Sequence, residues 1–249
     1  MNIFSEIHHG LPREGPGRNE ATRDAFSRIS NIPKEASVLD IGCGPGIHTI
    51  ALSQLLKESQ GSITAIDIHE KYLEMLRLKV IEQKTDNIVS EKADMFNLKY
   101  DNKIFDIIWA EGAIFIIGFE RGLKEWKRLL KPDGVIVVSE LSWTTNDIPK
   151  EISEFWADEY PGMQSVEGNI KTAHQCGYNV KNHFTILESA WFDDYYTPME
   201  NRINELKEKY KENIEAQREL NKEMIEINMY KKYSSYYGYE FYILQSITA

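Results

Sequence analysis

Between Val38 and Gly46 the chain reads Val-Leu-Asp-Ile-Gly-Cys-Gly-Pro-Gly, and this run constrains the fold more than any other. Val38, Leu39 and Ile41 are apolar and β-prone, the pattern of a buried strand. Gly42, Gly44 and Gly46 then admit positive φ and let a ligand approach the main chain closely. Ile47, Ile50, Ala51, Leu55 and Leu56 follow at helical spacing. A helix that starts there offers unpaired N–H groups and a positive dipole end to an anion or nucleotide. The run therefore predicts a nucleotide-type site at the carboxyl end of a parallel strand. The glycines alternate and position 47 is Ile, which departs from the G-x-G-x-x-G dinucleotide spacing, and Asp40 stands two places before the first glycine. A tight turn with no ligand is the bland alternative; three glycines, an acid and a strand–helix context argue together against it.

The segments that follow alternate. Ile63–Ile66 is a short apolar strand ending at Asp67, Tyr72 to Val80 has helical spacing, and Ile88-Val89 begins a third strand that closes near Ala93-Asp94-Met95. Phe105–Ala110 is a fourth strand. Leu123, Trp126, Leu129 and Leu130 mark a helix that stops at the turn Lys131-Pro132-Asp133-Gly134, and Val135–Val138 is a fifth strand. Alternating β and α with apolar, non-alternating strands predicts a parallel sheet covered on both faces. Beyond Trp143 the pattern changes. A short helix around Ile152–Trp156, a helix over Val166–Gln175, a strand over His183–Leu187, a charged helical stretch over Pro198–Lys232 and a last strand over Tyr237–Gln245 are expected. For the charged stretch, with Met199, Ile203, Leu206, Tyr210 and Ile214 as its stripe, a lid, a homodimer contact and a packed surface helix are all open; the last is the simplest.

Composition narrows the partners. A net charge of −10 on 249 residues argues against a general nucleic-acid binder, since phosphate binding needs clustered Lys and Arg. Two cysteines, Cys43 and Cys176, make no disulfide framework and fit a reducing, cytoplasmic setting. No signal peptide and no membrane-spanning run is expected. Neither a zinc-type His/Cys spacing nor an acidic triad for magnesium is evident, so no metal is expected. Residues 8–18, rich in Gly and Pro, read either as a tail or as a lid in which Gly15 and Gly17 allow close approach to a ligand. An acid at the end of the second strand, Asp67, can accept both ribose hydroxyls of an adenosine.

Taken in order, Asp40–Gly46, Asp67, the Ala93-Asp94-Met95 step, Trp109-Ala110-Glu111-Gly112 and Leu129–Gly134 resemble the class I S-adenosylmethionine (SAM) methyltransferases, over roughly residues 19–141. More narrowly, the chain resembles the type 11 small-molecule branch near the ubiquinone/menaquinone biosynthesis enzymes. That resemblance implies a Rossmann-like, seven-stranded, mostly parallel sheet of order 3-2-1-4-5-7-6 with helices on both faces and an antiparallel seventh strand. A helical insertion before the last strand departs from the simple core. One domain over 1–249 is expected, with a lid over 1–18 and cap segments over 142–165 and 191–235.

The resemblance also implies SAM as cofactor, with Asp40, Gly42, Cys43, Gly44, Gly46, Asp67, Ile68, Asp94, Met95 and Glu111 around it. Asp94 would accept from the adenine amino group and Met95 pack on the ring. Methyl transfer is an in-line displacement, so the protein must chiefly align the nucleophile and exclude water. Glu111, after the fourth strand, is the candidate to orient or deprotonate a small-molecule acceptor, with Glu140, His8 and His9 as further options. Trp143, Tyr160, Trp191 and Tyr195 are candidate walls of the acceptor pocket. The competing readings are a non-catalytic SAM-binding protein and an NAD-dependent oxidoreductase; the latter predicts a third glycine at 47 and a catalytic Tyr–Lys or similar pair, and neither is evident.

Overall fold

The computed structural model describes residues 3–8, 10–11 and 13–247. In chain order the helices are α1 (Ile3–His8), α2 (Asn19–Ser27), α3 (Ile47–Leu56), α4 (Glu70–Glu82), α5 (Ile114–Ile117), α6 (Phe119–Trp126), α7 (Lys150–Glu159), α8 (Val166–Gln175), α9 (Glu188–Trp191), α10 (Thr197–Lys209) and α11 (Ile214–Tyr233). The strands are β1 (Ser37–Ile41), β2 (Ser62–Asp67), β3 (Ile88–Lys92), β4 (Phe105–Ala110), β5 (Leu130–Trp143), β6 (Gln164–Ser165), β7 (Tyr178–Thr185) and β8 (Tyr237–Ser246). They form one sheet of order β3-β2-β1-β4-β5-β8-β7. β8 runs antiparallel to both its neighbours, and the other pairings are parallel. With the two-residue β6 set aside, this is the 3-2-1-4-5-7-6 arrangement that the resemblance implies.

The central strands are apolar on both faces because both faces are covered. One apolar layer gathers Leu52, Trp109, Val137, Trp191, Tyr196 and Phe241; the opposite layer gathers Leu39, Ile108, Trp126, Ile136 and Tyr242. At about 25 cal/mol per Å² of apolar area removed from water, these two layers dominate the folding free energy.

Three local expectations change. The Lys131–Gly134 turn does not precede β5 but lies inside it, as a bulge: the register slips between Phe105↔Leu130 and Ile107↔Val135. Asp133 takes φ +60°, and a Cβ on Gly134 would stand 2.9 Å from the Lys131 carbonyl oxygen. Second, β7 starts earlier, at Tyr178, and ends at Thr185. Third, the charged stretch is two helices. It breaks after α10, and Asn213 caps α11 by accepting from the Ala216 amide at 3.0 Å. Ile214, expected on the buried stripe, is exposed, because the break rotates it away from the line of Met199, Ile203 and Leu206.

The N-terminal segment is tied to this cap at both ends. Glu6 pairs with Lys209 and accepts from the Tyr210 hydroxyl, each at 2.6 Å. Arg18 pairs with Asp194 at 2.5 Å and Asp193 at 2.9 Å and donates to Ser189. Residues 13–18 thus form a strap across the carboxyl end of β1. Met1, Asn2, His9 and Pro12 of the expected lid lie outside the described residues. Among the described residues no helix is long and apolar enough to cross a membrane.

Candidate functional site

The glycine turn packs as tightly as its composition requires. Gly42 and Cys43 both donate to the Ile66 carbonyl at 2.9 Å, which locks the turn to the end of β2. Gly42 (φ +71°) has Ala113 against it; a Cβ there would stand 2.6 Å from the Ala113 Cβ. A Cβ on Gly46 (φ +81°) would stand 2.3 Å from Leu76. Gly44 differs: nothing lies within 4 Å of where its Cβ would be. Two glycines are thus required by packing, and the third turns its bare face to open space. Cys43 is buried, and burial drives its thiol pKa far up, so it is a packing residue and no nucleophile.

That open space is a small pocket of about 100 Å³. Its floor is the glycine turn with Ile47 and His48 of α3, one wall is Glu111-Gly112 beyond β4, and its roof is Arg13–Pro16 of the strap. Tyr239, near the start of β8, closes the remaining side.

Of the expected acids only Glu111 lines the pocket. Asp40 is wholly buried and does not line it. Its carboxylate accepts from the Thr49 hydroxyl at 2.6 Å and meets His48 Nε2 at 3.1 Å. Burial opposes a charged imidazole, but the charge and hydrogen bond of Asp40 outweigh it and raise the His48 pKa. Asp40 therefore reaches the pocket only through His48. Asp67 accepts from the Gly44 amide at 2.9 Å and from the His69 amide at 2.8 Å. Asp94 is exposed, one oxygen accepting from the Phe96 amide at 2.9 Å. Met95 sits against Gly42, and Ile68 is exposed beside Asp67. Asp67 ends β2 with Ile68 directly after it, and Asp94 and Met95 follow β3; none of the four lines the pocket.

Glu111 is held firmly. Its Oε2 accepts from the Thr22 hydroxyl at 2.8 Å and the Trp109 indole at 3.4 Å, while Oε1 faces Arg13 at 3.5 Å. Glu140 lies elsewhere, buried, with the Tyr160 hydroxyl donating to Oε1 at 2.6 Å and Oε2 without a hydrogen bond. Burial pushes the Glu140 carboxyl up to about 8, and the Tyr160 hydrogen bond opposes that only in part. His8 packs near Tyr195 and meets Glu14 of the strap at 3.3 Å.

None of Trp143, Tyr160, Trp191 and Tyr195 lines the pocket itself. Trp191 stands one layer back, its ring stacked on Tyr239 with centroids 5.3 Å apart. Trp143 packs edge-on to Tyr237, Tyr160 edge-on to Phe115, and Tyr195 tilted against Tyr196. The residues that sequence reasoning missed are Arg13, His48 and Tyr239. Arg13 could have been found as a charged side chain within a Gly/Pro run expected to lie over a ligand. Tyr239 could have been found only once β8 was known to run antiparallel, which puts its first residues at the carboxyl end of β5.

A sheet of this order, with a glycine turn after β1 and an acid at the end of β2, is the class I methyltransferase architecture. A family model described as "Methyltransferase domain" matches residues 32–227, and the chain belongs to that family. A demethylmenaquinone methyltransferase of Staphylococcus epidermidis is 34% identical over 123 residues, covering 49% of this chain and 50% of the relative. The chain thus spans about half the length of the curated relatives it matches. Two solved structures share the whole fold. A SAM-dependent methyltransferase from Geobacter sulfurreducens, in complex with S-adenosylhomocysteine, superposes with a TM-score of 0.81 at 18% identity, covering 98% of each chain. One from Thiobacillus denitrificans, also in complex with S-adenosylhomocysteine, gives 0.81 at 17% identity and covers 99% of each.

Proposed function

We propose that this chain transfers the methyl group of SAM to a small-molecule acceptor and releases S-adenosylhomocysteine. The observation that carries the reading is the pocket against the bare face of Gly44. A side chain there would enter the space a nucleoside needs, and Asp67, which reaches the same turn, has a carboxylate able to accept ribose hydroxyls. Asp94 and Met95, at the end of β3 with Met95 against Gly42, are suited to the adenine edge and face. SAM supplies an electrophilic methyl group on a sulfonium. The chain's own part is to bind, orient and exclude water. The turn and Asp67 fix the nucleoside, the strap covers it, and Glu111 and Tyr239 bound the reacting end.

The strap and cap support a small acceptor, since a folded protein or a duplex would have to displace Arg13–Pro16. The relatives named as demethylmenaquinone methyltransferases support an aromatic acceptor, which the face of Tyr239 could stack. The charge of −10 offers nothing to a polyanion, and two free cysteines suit a reducing, cytoplasmic compartment.

Calorimetric titration with SAM, S-adenosylhomocysteine and NAD tests the cofactor. Tighter binding of NAD would overturn the reading. Incubation of labelled SAM with a metabolite extract then tests transfer: label in a small organic product is expected, and binding without turnover would favour a non-catalytic SAM-binding protein.

A further inference from the structure

Arg13 and Glu111 face each other inside the pocket with Nη1 and Oε1 3.5 Å apart, their side chains only 11% and 5% exposed. The pair is built asymmetrically. Thr22 and Trp109 both donate to Glu111 Oε2, which leaves Oε1 buried and without a hydrogen bond. Arg13 is fixed from its other side, Nη2 donating to Asn19 Oδ1 at 2.6 Å, which leaves Nη1 toward Oε1. Gly17 makes the arrangement possible: a Cβ there would stand 3.2 Å from both Nη1 and Oε1. Two opposite charges are therefore desolvated together at a separation too long for a hydrogen bond. That is a poor exchange for lost hydration unless further partners complete them.

The missing partners are a cationic donor for Oε1 and an anionic acceptor for the guanidinium. One small group carries both on adjacent atoms: an α-amino acid. We propose that Arg13 and Glu111 clamp the zwitterionic amino-acid tail of the cofactor, Arg13 taking the α-carboxylate and Glu111 Oε1 the α-ammonium. This rests on the reading of the pocket as a SAM site. Charge-assisted hydrogen bonds of this kind are short, strong and directional. The clamp joins the strap, which carries Arg13, to the end of β4, which carries Glu111. Binding of the tail therefore draws the strap down over the pocket. It also makes Glu111 a cofactor-binding group rather than a base for the acceptor.

The test compares, for each ligand, the variant with wild type, across ligands that vary the tail. S-Adenosylhomocysteine carries the amino acid, 5′-methylthioadenosine lacks it, and decarboxylated SAM keeps the ammonium but lacks the carboxylate. Calorimetry on the full chain with Arg13→Gln is expected to weaken S-adenosylhomocysteine by about 10- to 100-fold, the loss of a charged hydrogen-bonded partner. The same variant should leave 5′-methylthioadenosine and decarboxylated SAM within about twofold of wild type. Glu111→Gln should weaken S-adenosylhomocysteine and decarboxylated SAM together, and Arg13→Lys should recover part of the loss. Melting curves establish that each variant is folded. If Arg13→Gln weakens all three ligands in the same ratio, or none, the clamp is wrong while the SAM site stands. If wild type binds neither S-adenosylhomocysteine nor 5′-methylthioadenosine, the SAM reading itself falls, and the clamp with it.

Discussion

The carboxylate of Asp67 accepts a hydrogen bond from the Gly44 amide across 2.9 Å, so the acid at the end of β2 holds the same turn that it would help a nucleoside to occupy. Its other oxygen accepts from the His69 amide ahead of α4. Structural and ligand-binding roles are not alternatives here, because each carboxylate oxygen has two lone-pair sites.

Asp67→Ala should therefore cost twice. Each charged hydrogen bond lost is worth about 1.5–3 kcal/mol, so both unfolding free energy and S-adenosylhomocysteine affinity should fall. Urea unfolding and calorimetry on the same preparation separate the two. A folded variant with unchanged affinity would remove Asp67 from the ribose site and leave it as a brace for the turn.

Glu140 gives the protein a pH signature. Its folded carboxyl is raised to about 8, well above its unfolded range, so between about pH 4.5 and 8 the folded state holds a proton that the unfolded state has lost. The stabilisation is complete below the unfolded pKa and disappears as pH rises through 8, with a slope of at most about 1.4 kcal/mol per pH unit. Glu223 and Glu226, raised chiefly by burial, act in the same direction. Glu140→Gln should flatten this dependence and gain most, relative to wild type, at pH 8. Urea midpoints measured at pH 5.5 and pH 8 check it. Parallel dependences for the two proteins would mean that Glu140 does not carry the proton.

The strap offers a kinetic observable. Arg18 and its partners are partly solvent-exposed, with Asp193 63% exposed, so each pair is worth about 0–1 kcal/mol and is screened by salt. Arg18→Ala should leave the melting temperature almost unchanged yet speed amide exchange over residues 13–18. S-Adenosylhomocysteine should slow that exchange in wild type. Equal exchange with and without ligand would show that the strap does not close on the cofactor.

The core of the fold was legible because buried parallel strands carry their own signal. Phe105–Ala110 and the glycine turn are where their apolar runs and glycines put them. Boundaries failed where tertiary contacts decide. The Lys131–Gly134 turn sits within β5 because Leu130 pairs with Phe105 on the far side of the bulge. The helical stretch breaks at Asn213, whose cap competes with a stripe that periodicity alone would extend through Ile214. The acids that follow strands could be read from spacing. Arg13 and Tyr239 could not, since Arg13 reaches the pocket through the strap and Tyr239 through the antiparallel return of β8.

Trp191 stacks between Tyr230 and Tyr239, with centroids 4.2 Å and 5.3 Å from its own. Of the three, only Tyr239 reaches the pocket, and Trp191 sets the plane of that ring. Trp191→Ala removes a fully buried indole, with an expected cost of about 3–5 kcal/mol, and a loss of activity there would confuse misfolding with misplacement. Tyr239 permits a cleaner dissection. Tyr239→Phe keeps the stack and removes a hydroxyl that has no hydrogen-bond partner among the described residues. Its stability should stay within about 0.5 kcal/mol of wild type, as for a substitution that leaves packing intact. Tyr239→Leu removes the aromatic face. If that face holds the acceptor, release of S-adenosylhomocysteine from labelled SAM in a metabolite extract should survive in Tyr239→Phe and fall in Tyr239→Leu, with calorimetric affinity for S-adenosylhomocysteine preserved in both. Loss of cofactor affinity in Tyr239→Leu would instead place this ring against the cofactor, and the acceptor would have to enter from the side of Glu140 and Tyr160.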